Sequence, residues 1–410
     1  MKKIALFLSF TLFMLCAGNA QTPDFDLRAA LDCINKDSLM RTVQELENFE
    51  TRLCTYTIGQ NKKVAEYVVN RLKQYGIENA RIDSFYVSGY TWSGTYAQYM
   101  YNALGTLKGK GNTDSTVIIG AHLDAISFIG DYPDWTLTPA TSPGADDNAT
   151  GCAIMLEMAR VIHENHLTPY HNIDFMAYDA EEIGLKGSIF DAKKRRSANE
   201  NVIVMLNNDM VAYQPIELPW QVNLFKYSNT PDVAEKARQA CLDYTEVTPF
   251  IISIDNPSSD SHSYFEKNYQ ALFTQERYAP QNTHFHHPDD VSENLNFDYC
   301  HQIAIMNFVV LADYAVMDSA FYVSIRENRK IEHSIALYPV PANDFVSVQC
   351  YNNIKIDKIN ILDFSGRLIE SLSNNIDQQN TIRLDHYRSG IYFMVFYTDK
   401  GVITKKIVKQ

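Results

Sequence analysis

The 410-residue chain predicts an α/β fold, with a mostly parallel central sheet flanked by helices, followed by a small all-β sandwich at the C-terminus. Three observations carry this. Four short apolar runs, TVIIGAH (116–122), NIDFMAYDA (172–180), NVIVMLNNDM (201–210) and QALFTQE (270–276), are bounded by polar turns, as strands buried on both faces of a parallel sheet are. Helical patterns lie between them, and strand–helix–strand alternation implies parallel pairing. From about residue 333 the apolar spacing changes to period two, broken by Gly and Asp turns. A chain of this length exceeds what one core supports. The division read from it is 1–20 leader, 21–325 α/β domain, 326–332 linker and 333–410 β-domain.

In chain order, residues 1–20 open with Lys2 and Lys3, run apolar from Ile4 to Leu15, and end Gly18-Asn19-Ala20, which reads as a secretory signal peptide. The apolar run is too short for a bilayer span and no later segment is longer, so no transmembrane segment is expected in the mature chain. In GQNKKVAEYVVNRLKQYG (59–76), Val64, Tyr67, Val68, Leu72 and Tyr75 share one helical face and Gly76 supplies the stop. The formal charge of −13 excludes nucleic acid as a partner. The acidity lies in the α/β domain, the tail being slightly basic. Six cysteines remain after the leader, Cys33, Cys54, Cys152, Cys241, Cys300 and Cys350. Export permits disulfides among them, and the lack of any C-x-x-C spacing argues for a structural role over metal or redox chemistry.

Ligands of α/β sheets bind at the carboxyl ends of the strands, and each predicted strand ends in, or is followed by, a residue able to hold a metal. These are His122 and Asp124, Glu181 and Glu182, Asp209, and Glu276. SPGADDNATG adds Asp146 and Asp147 ahead of a helix, and NTHFHHPDD adds His284, His286, His287, Asp289 and Asp290. Singly, each is as well explained as a helix cap or a solvated turn. Together they suit two zinc ions ~3.5–4 Å apart, which need a bridging carboxylate against their mutual repulsion and nitrogen and oxygen donors on each. Asp147 can bridge, His122 and Asp209 can complete one ion, and Glu182 with a histidine of FHHPDD the other. Glu181, beside a ligand without being needed as one, suits the general base that takes a proton from water and passes it to a leaving amine. Asp124 suits the partner that fixes the His122 tautomer.

GAHLDA (120–125), SPGADDNATG (142–151), AYDAEEIGLKGS (177–188), NNDM (207–210) and HHPDD (286–290), in this order, resemble the zinc aminopeptidases with two co-catalytic metals, the family of bacterial leucyl aminopeptidases and glutamate carboxypeptidase. The resemblance covers roughly residues 40–315. It implies hydrolysis of the N-terminal residue of peptides with a free N-terminus, two Zn2+ per chain, Glu181 as general base, and His122, Asp147, Glu182, Asp209 and one late histidine as ligands. The family's His-Thr-Pro-x-Asp ending aligns with His286, with His287 replacing Thr and Asp290 as the final Asp. A single-zinc glutaminyl cyclase and a metal-free binding module with a peptidase fold are the alternatives; DDNATG and AEEIGLKGS favour the peptidase. SFIGDYPDWTLTPAT (127–141), with Tyr132 and Trp135, is a candidate pocket rim, and SSDSHSYF (258–265) is expected only to line the pocket.

The tail resembles the C-terminal sorting domain that Bacteroidetes use for type IX secretion: YPVPA at 338–342, the D-x-x-G turn at 363–366, GIY at 390–392 and the basic Lys405-Lys406 ending. The resemblance implies the type IX machinery as a partner and a secreted or cell-surface location reached through the periplasm.

Overall fold

A computed structural model describes residues 27–54, 60–91, 94–111, 113–129, 136–137, 141–256, 258–317, 335–351, 354–363, 367–373, 379–399 and 401–410. The leader, the linker at 326–332, Tyr132 and Trp135 lie outside the described residues.

All four apolar runs are strands: β3 (Ser115–His122), β6 (Asn172–Tyr178), β7 (Asn201–Asn208) and β10 (Ala271–Glu276). β3 pairs in parallel with β6 and β7, and β7 in parallel with β10, so the carboxyl ends of all four reach one edge. Antiparallel additions flank this centre. On one side lie β2 (Gly94–Leu107) and β1 (Arg81–Thr91); on the other, β8 (Gln221–Lys226) and, parallel to it, β9 (Thr248–Ser253). The eight-strand order is β1-β2-β6-β3-β7-β10-β8-β9. β4 (Phe128–Ile129) and β5 (Thr136–Leu137) form a separate short pair.

Successive strand residues serve two cores. Val117, Ile119 and Ala121 join one cluster with Phe175, Val204 and Leu206, whereas Ile118, Met176, Tyr178 and Met205 join a second. Residues of α1 (Leu27–Asp32), α2 (Lys36–Glu47), α3 (Gln60–Gln74), α4 (Gly151–Glu164), α6 (Pro231–Tyr244) and α8 (Phe297–Ala315) cover the first face. Residues of α5 (Lys186–Ser197) and α7 (Ser261–Phe265) cover the second. This double burial is why the strands read as continuous apolar runs. The helix expected at 59–76 is α3, with Gly76 at φ 76 just past its end, the left-handed stop glycine tolerates.

The β1–β2 ribbon is long because only residues 103–107 of β2 pair with β6; residues 94–102 run past the end of β6 toward the carboxyl edge of the sheet. Its inner face, with Phe85, Met100 and Tyr96, packs on Cys54, Ala180, Ile183 and Phe190, and Phe85 stacks on Phe190 at 4.8 Å. The ribbon thereby braces the turn that follows β6. The six cysteines are free thiols in the structure, four of them buried, so the disulfides that export permits are not formed here.

The tail has a core of its own, including Val346, Val348, Ile359, Ile361, Met394, Phe396 and Ile407. Its named strands pair antiparallel. β11 (Ile335–Tyr338), β12 (Phe345–Cys350) and β15 (Gln379–Arg383) make one sheet; β13 (Ile356–Asp363), β14 (Leu368–Ser373), β16 (Gly390–Thr398) and β17 (Gly401–Lys409) make the other, in the order β14-β13-β16-β17. No helix among the described residues is long and apolar enough to cross a membrane.

Candidate metal centre and active site

The chain turns sharply beside three of the polar side chains. Ala180 (φ 61) precedes Glu181, Met210 (φ 56) follows Asp209, and His286 itself sits at φ 56. Such backbone is costly for residues with a Cβ and persists where the surroundings over-determine it. Asp147 lies in an irregular turn at 145–150 that leads into α4. Glycine brackets that turn: Gly144 has φ 55 and a Cβ there would meet Asp147 O at 2.3 Å, while one on Gly151 would meet Asn208 O at 2.3 Å.

The five side chains expected as ligands converge in two groups that share Asp147. His122, Asp147 and Asp209 form one and Asp147, Glu182 and His286 the other, with donor atoms within 4.8 Å of one another in each. Asp147 offers one oxygen to each group: Oδ1 lies 3.1 Å from His122 Nε2 and Oδ2 3.0 Å from His286 Nε2. His122 Nε2 is 3.4 Å from Asp209 Oδ1, and His286 Nε2 is 3.1 Å from Glu182 Oε2. Glu182 Oε1 is buried with no hydrogen-bond partner. A mixed imidazole and carboxylate donor set with an orphaned buried oxygen fits divalent zinc, whose tetrahedral sites take such ligands. Between the adjacent histidines, His286 faces the centre, against Phe285 at 3.7 Å, while exposed His287 turns to Asp289. Glu181 belongs to neither group.

Burial pushes Asp147 up, but hydrogen bonds from His122 and His286 outweigh it and hold the carboxyl well below its usual range. Burial lowers both imidazoles, yet Asp209, Asp124 and Asp147 around His122, and Glu182 and Asp147 around His286, raise them well above the ordinary value. Burial raises Glu182 to about 7 and Glu181 well above the carboxylate range; the neighbouring Glu182, Asp209 and Asp260 also push Glu181 up, against His122.

Asp124 lies beside His122, as expected of its partner, and serves a second segment as well. His122 Nδ1 lies 3.1 Å from the backbone oxygen of Asp124 and 3.6 Å from its carboxylate. The main chain therefore takes the imidazole hydrogen bond, and the carboxylate accepts the N–H groups of Glu181 (3.0 Å) and Glu182 (3.2 Å). Asp124 thus holds the turn that presents both glutamates. Asp290 does the same for the opposite wall, accepting from the N–H of Asp146 (2.8 Å) and Asp147 (3.1 Å). Asp146, in the turn before α4, and Glu276, at the end of β10, are buried against each other and accept from the main chain, Asp146 from Ala212 N–H and Glu276 from Tyr213 N–H. They pin the segment after Asp209. Burial raises Asp146 to about 7 and Glu276 well above the carboxylate range.

Two contributors carried no readable signal. Ser259 donates to Asp209 Oδ2 at 2.5 Å and accepts from Asn207 at 2.7 Å, so SSDSHSYF does more than line a pocket. Arg52, 1% exposed, donates to the carbonyls of Leu46, Leu123 (2.9 Å), Gly144 (2.7 Å) and Pro143, tying the segment after His122 to the one before Asp147. Arg52→Met strands those carbonyls and is expected to cost about 3–5 kcal/mol in urea unfolding. A loss below about 1 kcal/mol, the scale of an ordinary surface change, would show the tie is not needed.

An α/β sheet with such a donor set at the carboxyl edge of its parallel strands defines a zinc-dependent hydrolase. The chain belongs to peptidase family M28, whose model matches residues 102–310, half of the sequence. Residues 336–410 match the secretion system C-terminal sorting domain. A probable leucine aminopeptidase of Arthroderma otae is 26% identical over 285 residues, 67% of this chain and 72% of that protein. Among solved structures, the Legionella pneumophila LapA aminopeptidase aligns with TM-score 0.58 at 22% identity, covering 70% of this chain and 74% of that one. The Fimbriiglobus ruber glutaminyl cyclase aligns with TM-score 0.53 at 14% identity, covering 70% and 96%. At these identities the structural likeness shows the fold, which peptidase and cyclase share; the family model is a peptidase's.

Proposed function

We propose that the chain is an exported aminopeptidase that removes the N-terminal residue of peptides, with two zinc ions and Glu181 as general base. The observation that carries this is Asp147, whose two oxygens each face a separate imidazole and carboxylate pair. In this reading His122 and Asp209 would hold one ion, Glu182 and His286 the other, and Asp147 would be shared by both. Two such ions, when bound, would polarise the scissile carbonyl and acidify a water. Glu181, its carboxyl raised by burial, accepts that water's proton and delivers it to the departing nitrogen. Asp124 keeps Glu181 and Glu182 in register by holding their N–H groups. The carboxylates of Asp147, Glu181, Glu182 and Asp209 make the centre a natural seat for a substrate α-amino group. The tail directs the chain to the type IX machinery, and the catalytic unit ends before residue 326.

The test is a panel of aminoacyl amides, short peptides and their N-acetylated forms, with and without a chelator. Free N-termini are expected to be cleaved one residue at a time, blocked ones refused, and the chelator to abolish turnover until zinc is restored. Efficient cleavage of a blocked peptide, or release of internal fragments, would refute an aminopeptidase. Cyclisation of N-terminal glutamine with a single zinc would favour the cyclase.

A further inference from the structure

A cavity of about 580 Å³ opens beside the Glu181–Glu182 turn, between the start of α5 and the short helix α7. We infer that it receives the side chain of the residue after the scissile bond, and that Leu185 and Ile189 make it select an apolar one. This rests on the reading of Glu181 as general base.

The direction follows from the proton's path. A base that takes a proton from water and hands it to the departing nitrogen stands on the leaving-group side of the reacting carbon. The cavity wall is the continuation of that base's own turn, since the N–H groups of Gly184 and Leu185 both bond to Glu181 O at 2.8 Å. Whatever leaves past Glu181 leaves along this wall.

The selectivity follows from the lining. Leu185 is buried, and Ile189, four residues on and on the same helical face, bonds its N–H to Leu185 O. Ile189 is nonetheless 44% exposed, a large apolar side chain facing a concavity. Across the cavity the His262 ring lies 6.1 Å from Tyr227 and 5.8 Å from Phe265, and Ser263 Oγ meets Ser188 Oγ at 2.8 Å, which ties α7 to α5 and keeps the walls apart at a set width. Glu266 and Lys267, of opposite charge, line the cavity as well, together with Glu181 and Glu182. A side chain held there lies against aliphatic carbon with carboxylates beside it, so an apolar residue is favoured and an acidic one is repelled.

The experiment compares kcat/KM for leucyl-glycinamide, leucyl-leucinamide, leucyl-lysinamide and leucyl-aspartamide, each normalised to leucinamide, whose leaving group is ammonia and brings no side chain to the cavity. In the native enzyme the leucyl second residue is expected to exceed glycyl by roughly tenfold or more, the scale of filling an apolar pocket, with aspartyl the poorest. Ile189→Asp, at an exposed site where folding is not at stake, is expected to abolish the leucyl preference and raise lysyl above it. That gain cannot come from damage. A native leucyl-to-glycyl ratio near one, or the native order of preference retained in Ile189→Asp, would overturn the inference while leaving the peptidase reading standing. Failure of the zinc-loaded native enzyme to cleave leucinamide or any of the dipeptide amides would overturn both.

Discussion

Glu181→Gln is expected to retain its zinc and lose a factor of ~10²–10⁴ in kcat, the contribution of a positioned general base, while Glu182→Gln is expected to lose metal. The two residues are adjacent, yet their surroundings differ. Glu182 Oε2 is 3.1 Å from His286 Nε2 and its Oε1 has no hydrogen-bond partner, the state of a donor turned toward a ligand site. Glu181 is in neither donor group, and burial raises its carboxyl well above the usual range, which makes it a stronger proton acceptor once ionised. Neither substitution disturbs the turn, because Asp124 holds the backbone N–H groups and not the side chains. Zinc per chain, measured after dialysis, and kcat on one aminoacyl amide are the two readouts. Equal metal loss in both variants would end this division of labour.

The parts of the site that were legible are those whose chemistry resides in the side chain at a strand end. His122, Asp209 and the Glu181–Glu182 pair follow apolar runs that could only be buried strands, and the structure brings them to one edge because β3, β6 and β7 are parallel. What was illegible was held by the main chain. Asp124, Asp290, Asp146 and Glu276 act on backbone N–H groups of distant segments, and a carboxylate whose partner is an amide leaves no pattern of residue types. Arg52 is a lone basic residue in the sequence and a four-carbonyl tie in the fold. The β1–β2 ribbon escaped for another reason: beyond β6 its outward face is exposed, with Tyr86, Tyr90 and Tyr99, so it lacks the apolar run that marked the central strands. His286 over His287 was read from the family's ending, and in the structure His286 meets Asp147 and Glu182 while His287 meets Asp289.

Asp147→Asn is expected to weaken both zinc ions together and to reduce turnover by ~10² or more, at least as far as removal of the base does. The argument is one of oxygens. Asp147 presents Oδ1 to His122 and Oδ2 to His286, so a carboxamide keeps a donor oxygen on one side and places an NH2 group, which has no free lone pair for a cation, on the other. It also removes the negative charge that screens two divalent ions from each other, so the side that keeps its oxygen is weakened too. Changing the outer ligands has a different signature. Asp209→Asn touches only the group with His122, and Glu182→Gln only the group with His286, so each should deplete about one ion and leave the other. The turn itself should survive in Asp147→Asn, since Asp290 holds the Asp147 N–H and Gly144 supplies the bend. Zinc titration of the three variants, followed by metal analysis, separates these patterns. Two full equivalents with native turnover in Asp147→Asn would remove Asp147 from the bridge, and loss of one ion alone would make it a terminal ligand.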